Sequence, residues 1–168
     1  FDNVYTFDIE EAKDFNLNLL PIYWVNEKVC DPEAADVFGL GAIKNDRYKL
    51  FQIIERISIS NGMSVYLKLY NFVNVKSMKM YKFRCSIYKV LGLKGIISPE
   101  AITSKYATKE TLPPSRFRKM IASAKVVIDT SAPHQDGLTA RFMWAIGLGK
   151  KIVTTNQNVE KYDVYDPD

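Results

Sequence analysis

The sequence predicts an α/β fold, a Rossmann-like open parallel sheet with helices on both faces. Two stretches carry that prediction. Between 36 and 69 a buried apolar run, an amphipathic helix and an alternating run follow one another. Between 114 and 155 a helix, a buried strand, a second helix and a further strand do the same. Strands separated by helices pair in parallel through right-handed crossovers.

Each element has its own signal. Residues 4–7 read as a strand, and Asp8 is placed to cap a short helical turn. Residues 19–24 are extended and apolar. Residues 26–35 are polar, with Asp31 and Pro32 as a turn signal, and form the best candidate boundary. Asp36 to Gly41 reads as a buried strand running into a glycine turn. The helix opening at Asp46 sets Leu50, Ile53, Ile54 and Ile57 at i, i+3, i+4 and i+7, and Asn61 with Gly62 stops it. Ser64 to Leu69 alternates as a strand does. Farther on, Met78, Tyr81, Cys85 and Tyr88 share one helical face, and Lys79, Lys82, Ser86 and Lys89 a neighbouring one. Pro113 and Pro114 open a helix whose stripe is Phe117, Met120, Ile121 and Ala124. Val126 to Ile128 is a buried strand ending at Asp129. A loop over 130–137 leads to a helix over 138–148, closed by Gly147 and Gly149, and then to a strand over 151–155.

Composition narrows the class. The chain has 168 residues, 47% hydrophobic and 25% charged, which is ordinary for a globular domain and excludes disordered, collagen-like and disulfide-stapled chains. No run approaches the ~20 apolar residues of a membrane-spanning helix. Net charge is +4, mildly basic and compatible with an anionic ligand or surface. The excess is concentrated: residues 76–105 hold seven Lys and Arg against Glu100 alone, a local +6. A solvated basic face and attraction to an anionic membrane surface or phosphate-bearing substrate both fit it. No nucleic-acid motif accompanies the charge, so nucleic acid is not expected as a partner. Cys30 and Cys85 read as buried reduced thiols of a cytoplasmic protein rather than a bridge. The chain opens on Phe1 and stops at Asp168 without a closing element, and we read it as an excerpt of a longer protein, a processed mature chain being the alternative.

Chemistry is expected where parallel strands end. Ligands bind outside the carboxyl ends of such strands, and the loops after 37–40, 126–130 and 152–155 lie there. The second reaches a helix start at Asp136, Gly137 and Thr139, where amide N–H groups and the helix dipole favour phosphate. A plain N-cap and turn explain the same residues. Gly39 and Gly41 suggest a dinucleotide fingerprint, but position 44 is Lys where its third glycine would stand. Asp166 and Asp168 flank Pro167 like a two-carboxylate metal motif, yet in a turn at the chain end, and we expect no metal. The single His134 adjoins no nucleophile and reads as a loop residue near the ligand.

Residues 115–156 resemble the donor half of GT-B glycosyltransferases, the bacterial type that builds capsular polysaccharide and lipopolysaccharide. The likeness is carried by Gln135, Gly137, Leu138, Thr139 and Arg141 in one run and by Ala145, Gly147, Gly149, Lys150, Thr155 and Asn156 in the next. Residues 1–8 and 19–21 are similar to the last strand and hinge of the acceptor half, and 38–47 to the first strand and loop of the donor half. The resemblance implies a remnant of the acceptor half over 1–35 and a donor-binding domain over 36–168. It implies a nucleotide-sugar donor, a glycan or lipid-linked acceptor, no cofactor, and a cytoplasmic place, with peripheral contact at the inner face of an anionic membrane. Donor-contact candidates are Gly39, Gly41, Lys44, Gln135, Asp136, Gly137, Leu138, Thr139 and Arg141. Amides at 137–139, with Arg141 or Lys44, would meet the charge on the leaving nucleotide in place of a metal. No catalytic residue is assigned. Two positions depart from the family pattern. Trp144 stands where a second acidic residue would hold the ribose hydroxyls, and indole donates but cannot accept. Leu40 stands where a basic residue is usual. These departures support a second expectation, a non-catalytic binding or assembly module that keeps the fold.

Overall fold

Short apolar strands alternate with helices along the chain, and five of them join into one all-parallel sheet flanked by helices. The computed structural model describes residues 3–20, 35–131 and 137–165. Near its start, β1 (Tyr5–Thr6) and β2 (Asn18–Leu19) pair in parallel on either side of α1 (Ile9–Asp14). The main sheet contains β3 (Val37–Ala42), β4 (Val65–Tyr70), β5 (Ala107–Thr108), β6 (Val126–Asp129) and β7 (Lys151–Thr154), in the order β5-β4-β3-β6-β7. The chain builds outward from β3 to β4 and β5, then returns to the other side of β3 with β6 and β7. Open parallel sheets bind ligands at such a reversal, outside the strands' carboxyl ends.

The chain divides into two compact units, Phe1–Phe38 with Pro114–Asp168, and Gly39–Pro113. In the first, β6 and β7 run in register from Val126 opposite Lys151 to Asp129 opposite Thr154. The helix α5 (Pro114–Ser123) buries Met120 and Ile121 as its stripe predicts, and α6 (Ala140–Gly147) buries Phe142, Met143 and Ala145. Leu138, Phe142 and Met143 form a core with Ile146, Ile152, Val159 and Tyr162. Phe117 pairs with Phe38 and with Trp144, each at 5.7 Å between ring centroids. Asp8 caps α1, accepting from the Glu10 and Glu11 amides. Lys161, in the 3-10 turn Gln157–Lys161, is paired with Glu10 at 2.6 Å.

In the second unit, α2 (Asn45–Ser60) is turned differently from the expected stripe. Arg47, Phe51 and Ser58 are buried, whereas Ile53 and Ile57 are 47% and 53% exposed. Apolar residues lie on more than one face of this helix, and Phe51, which meets Tyr106 edge-on at 5.9 Å, takes the inward place. Tyr106 also donates to Glu55 at 2.6 Å, and Lys105 pairs with the same carboxylate at 2.6 Å. The helix α3 (Met78–Val90) turns Tyr81 inward, with Met78, Cys85 and Tyr88 half-buried beside it, so the predicted inner face holds. The Tyr81 hydroxyl donates to the Ile97 carbonyl at 2.8 Å. The short α4 (Pro99–Ile102) starts at Ser98, whose hydroxyl accepts from the Ala101 amide. Asn45 grips the loop before it, donating to the Ile96 carbonyl and accepting from the Ser98 amide. Cys85 is a free thiol, half-buried rather than fully so, and Cys30 lies outside the described residues. Among the described residues no helix is long and apolar enough to cross a membrane.

Candidate functional site

A carboxylate that ends a buried apolar strand must find partners or lose its charge. Asp129 ends β6, is 1% exposed, and finds three. Its carboxylate accepts the Thr139 hydroxyl at 2.6 Å and the Thr154 hydroxyl at 3.2 Å, and it pairs with Arg141 Nε at 3.3 Å. Burial pulls the Arg141 guanidinium below its ordinary range, and Asp129 opposes that shift. Thr139 serves twice, since its oxygen also accepts the Phe142 amide and so caps α6. One buried carboxylate therefore joins the end of β6, the end of β7 and the first turn of α6.

Further hydrogen bonds hold the described residues that flank this frame. Asn156 donates to the Gly137 carbonyl at 3.2 Å, its amide donates to Thr154, and its side chain accepts the Asn158 amide. At the rim, the Thr155 hydroxyl accepts the Ser131 amide at 3.1 Å and lies 3.3 Å from the Ser131 hydroxyl. Thr155 is exposed and Ser131 half-buried, so this pair faces solvent beyond the strand ends.

The candidates fall into three groups. Gly137, Leu138, Thr139 and Arg141 are brought together at the start of α6, in the roles just given, with Leu138 in the core. Gln135 and Asp136 lie outside the described residues, as do His134, Asp166 and Asp168. Gly39, Gly41 and Lys44 belong to the other unit. Gly39 is buried in β3, Gly41 is half-buried there, and Lys44 holds the N-cap position of α2 without a side-chain capping bond. Leu40 is a core residue of β3. Trp144 is half-buried against Phe117.

The Gly137 amide is already engaged. It donates at 2.7 Å to Asp8, whose other carboxylate oxygen caps α1. Close approach accounts for glycine at 137. A Cβ at 137 would stand 2.9 Å from the Phe7 ring and 3.3 Å from Asp8 Cα.

Sequence reasoning passed over Asp8, Asp129, Thr154 and Ser131 as parts of this site. Asp129 was readable, because a carboxylate directly after Val126-Val127-Ile128 needs a built environment. Arg47 was passed over as well. It is buried in the first turn of α2 and donates through Nη1 to the Ala42 carbonyl at the end of β3. Comparison with family models, with curated proteins and with solved structures finds no match.

Proposed function

We propose that this chain is the donor-binding part of a glycosyltransferase, holding a nucleotide sugar for transfer to a surface-polysaccharide or lipid-linked acceptor. The observation that carries the reading is the buried Asp129 frame at the strand ends. It joins the end of β6, the end of β7 and the start of α6, at the end of the sheet where such folds take phosphorylated ligands. The Ser131 and Thr155 hydroxyls offer hydrogen bonds to phosphate oxygens, and the α6 dipole adds positive potential. Donors fixed before the reaction stabilise charge growing on a leaving diphosphate without reorganising. Arg141 acts as a positioning residue in this reading, because its contact is Asp129. In this reading the acceptor, and any base that activates it, are held outside the described residues.

A second reading has its own observation. The Asp8 carboxylate holds the Gly137 amide, and Trp144 packs on Phe117 at the place where ribose contact is expected. A binding or assembly module without donor chemistry fits both. Calorimetry on the full-length protein with uridine, guanosine, cytidine and thymidine diphosphate sugars separates the readings. The donor reading expects saturable heat with one nucleotide class, competed by its free diphosphate and weakened by Ser131→Ala with Thr155→Val. Silence across the panel from folded protein leaves the module.

A further inference from the structure

The outer face of α3 is apolar and faces solvent. At ~100° per residue the positions around its outward side run Lys79, Val90, Phe83, Ile87, Met80, Leu91, Arg84, where Leu91 is the C-cap residue. Five large apolar side chains thus fill an arc of about 100° with a cation at each border. They are not covered: Val90 is 85% exposed, Met80 74% and Phe83 69%, with Ile87 and Leu91 exposed beside them. Lys82 and Lys89 extend the basic border on the Lys79 side, and Lys94 follows the exposed Leu93 just past the helix. An open groove of about 600 Å³ adjoins the stripe, lined in part by Val75, Lys76, Met80, Phe83, Arg84 and Ile87.

The helix is held so that this face points outward. Tyr81 is buried on the opposite side and tied to the Ile97 carbonyl, and Arg84 lies over the Tyr81 ring at 5.2 Å. A solvated basic face accounts for the lysines but not for Met80, Phe83, Ile87 and Val90 between them. An apolar stripe bordered by Lys and Arg is the arrangement of a helix lying in a bilayer interface, its apolar side chains among the acyl chains and its cations at the lipid phosphates. A second copy fits less well. A twofold interface on this face would bring two segments of local charge +6 together, and like charges facing each other disfavour pairing.

We propose that the outer face of α3, with Met80, Phe83, Ile87 and Val90 inserted and Lys79, Lys82 and Lys89 at the headgroups, docks the protein onto a bilayer surface rich in anionic phospholipid. The proposal is independent of the donor-site reading. Sedimentation of the full chain with phosphatidylcholine vesicles, and with equimolar phosphatidylcholine and phosphatidylglycerol vesicles, tests it. Binding is expected to the mixed vesicles at about 0.1 M salt and should fall at least tenfold at about 1 M, as the Debye length drops from ~10 to ~3 Å. Lys79, Lys82 and Lys89 changed together to Gln should weaken binding about a hundredfold, since each cation near an anionic surface contributes about fivefold, or ~1 kcal/mol. Phe83→Ser with Ile87→Ser should lose at least tenfold while the melting temperature stays put, because both side chains are exposed. Equal binding to both vesicle types, or none, overturns the proposal. So does a Phe83→Ser, Ile87→Ser variant that binds as well as the parent. A dimer that the same variant dissociates, in a chain that ignores vesicles, assigns the face to a second copy and overturns it too.

Discussion

Asp129 and Gly137 show how single residues hold the site together. Arg141 is 16% exposed in its side chain and Asp129 1%, so neither charge can turn to water if its partner is lost. Arg141→Ala should therefore lower stability by about 3–5 kcal/mol, the usual cost of leaving one member of a buried pair behind. A denaturant midpoint that barely moves would mean that Thr139 and Thr154 alone satisfy the carboxylate. Gly137 is constrained from the other side. A methyl group there meets the Phe7 ring and the Asp8 backbone, so Gly137→Ala should cost about 1–3 kcal/mol through overpacking. Phe7→Ala in the same chain should recover part of that loss, because the ring is the nearest obstacle and is itself 44% exposed. If the double variant melts no higher than Gly137→Ala alone, the strain lies at Asp8.

At the scale of elements, legibility followed length and periodicity. β3, β4, β6, β7, α5 and the inner face of α3 were readable because each has a period or a continuous apolar run long enough to choose one structure. β5 was not, since two residues carry no period. α2 was read about a quarter-turn off, with Leu50 and Ile54 half-buried but Ile53 and Ile57 exposed, because its apolar residues cover more than one face and the aromatic contact on its inner side is made with Tyr106, 55 residues beyond Phe51. The same cluster yields a pH effect. Burial works against the Glu55 carboxylate, but the hydrogen bonds from Lys105 and Tyr106 outweigh it, and its pKa lies below the ordinary value. A carboxylate held lower in the folded than in the unfolded chain adds stability above its unfolded pKa, about 4.3. That contribution is lost as pH falls through the folded value. Glu55→Gln should flatten the acid limb of the stability profile and leave the slope near neutral pH unchanged. An unchanged acid limb would show that Lys105 and Tyr106 do not hold the carboxylate in solution.

For the whole molecule, a parallel sheet was implied by the alternation of strands and helices, but its strand order β5-β4-β3-β6-β7 was not, and the site's frame was only half visible. The run from Gly137 to Arg141 drew attention to the start of α6, whereas its anchors, Asp129, Thr154 and Asn156, come from two strand ends and a loop that only the fold assembles. The anchor farthest away in sequence is Asp8, 129 residues before the amide it holds. That distribution bears on activity. The described residues offer hydroxyls, a capped helix start and a buried ion pair, which in the proposed reading bind and orient a diphosphate. No base is assigned among them, and the proposed reading places the acceptor elsewhere. Transfer between two bound substrates draws much of its rate from holding them together, worth up to about 7–11 kcal/mol. A chain that holds only one substrate forgoes that contribution. On the proposed reading, the 168-residue chain alone should therefore bind the same nucleotide sugar as a full-length protein, with similar heat, and transfer no sugar to a glycan or lipid-linked acceptor. A radiolabelled-sugar assay run beside calorimetry checks both halves of the statement. Turnover by the isolated chain would move the acceptor site, and its base, into the residues described above.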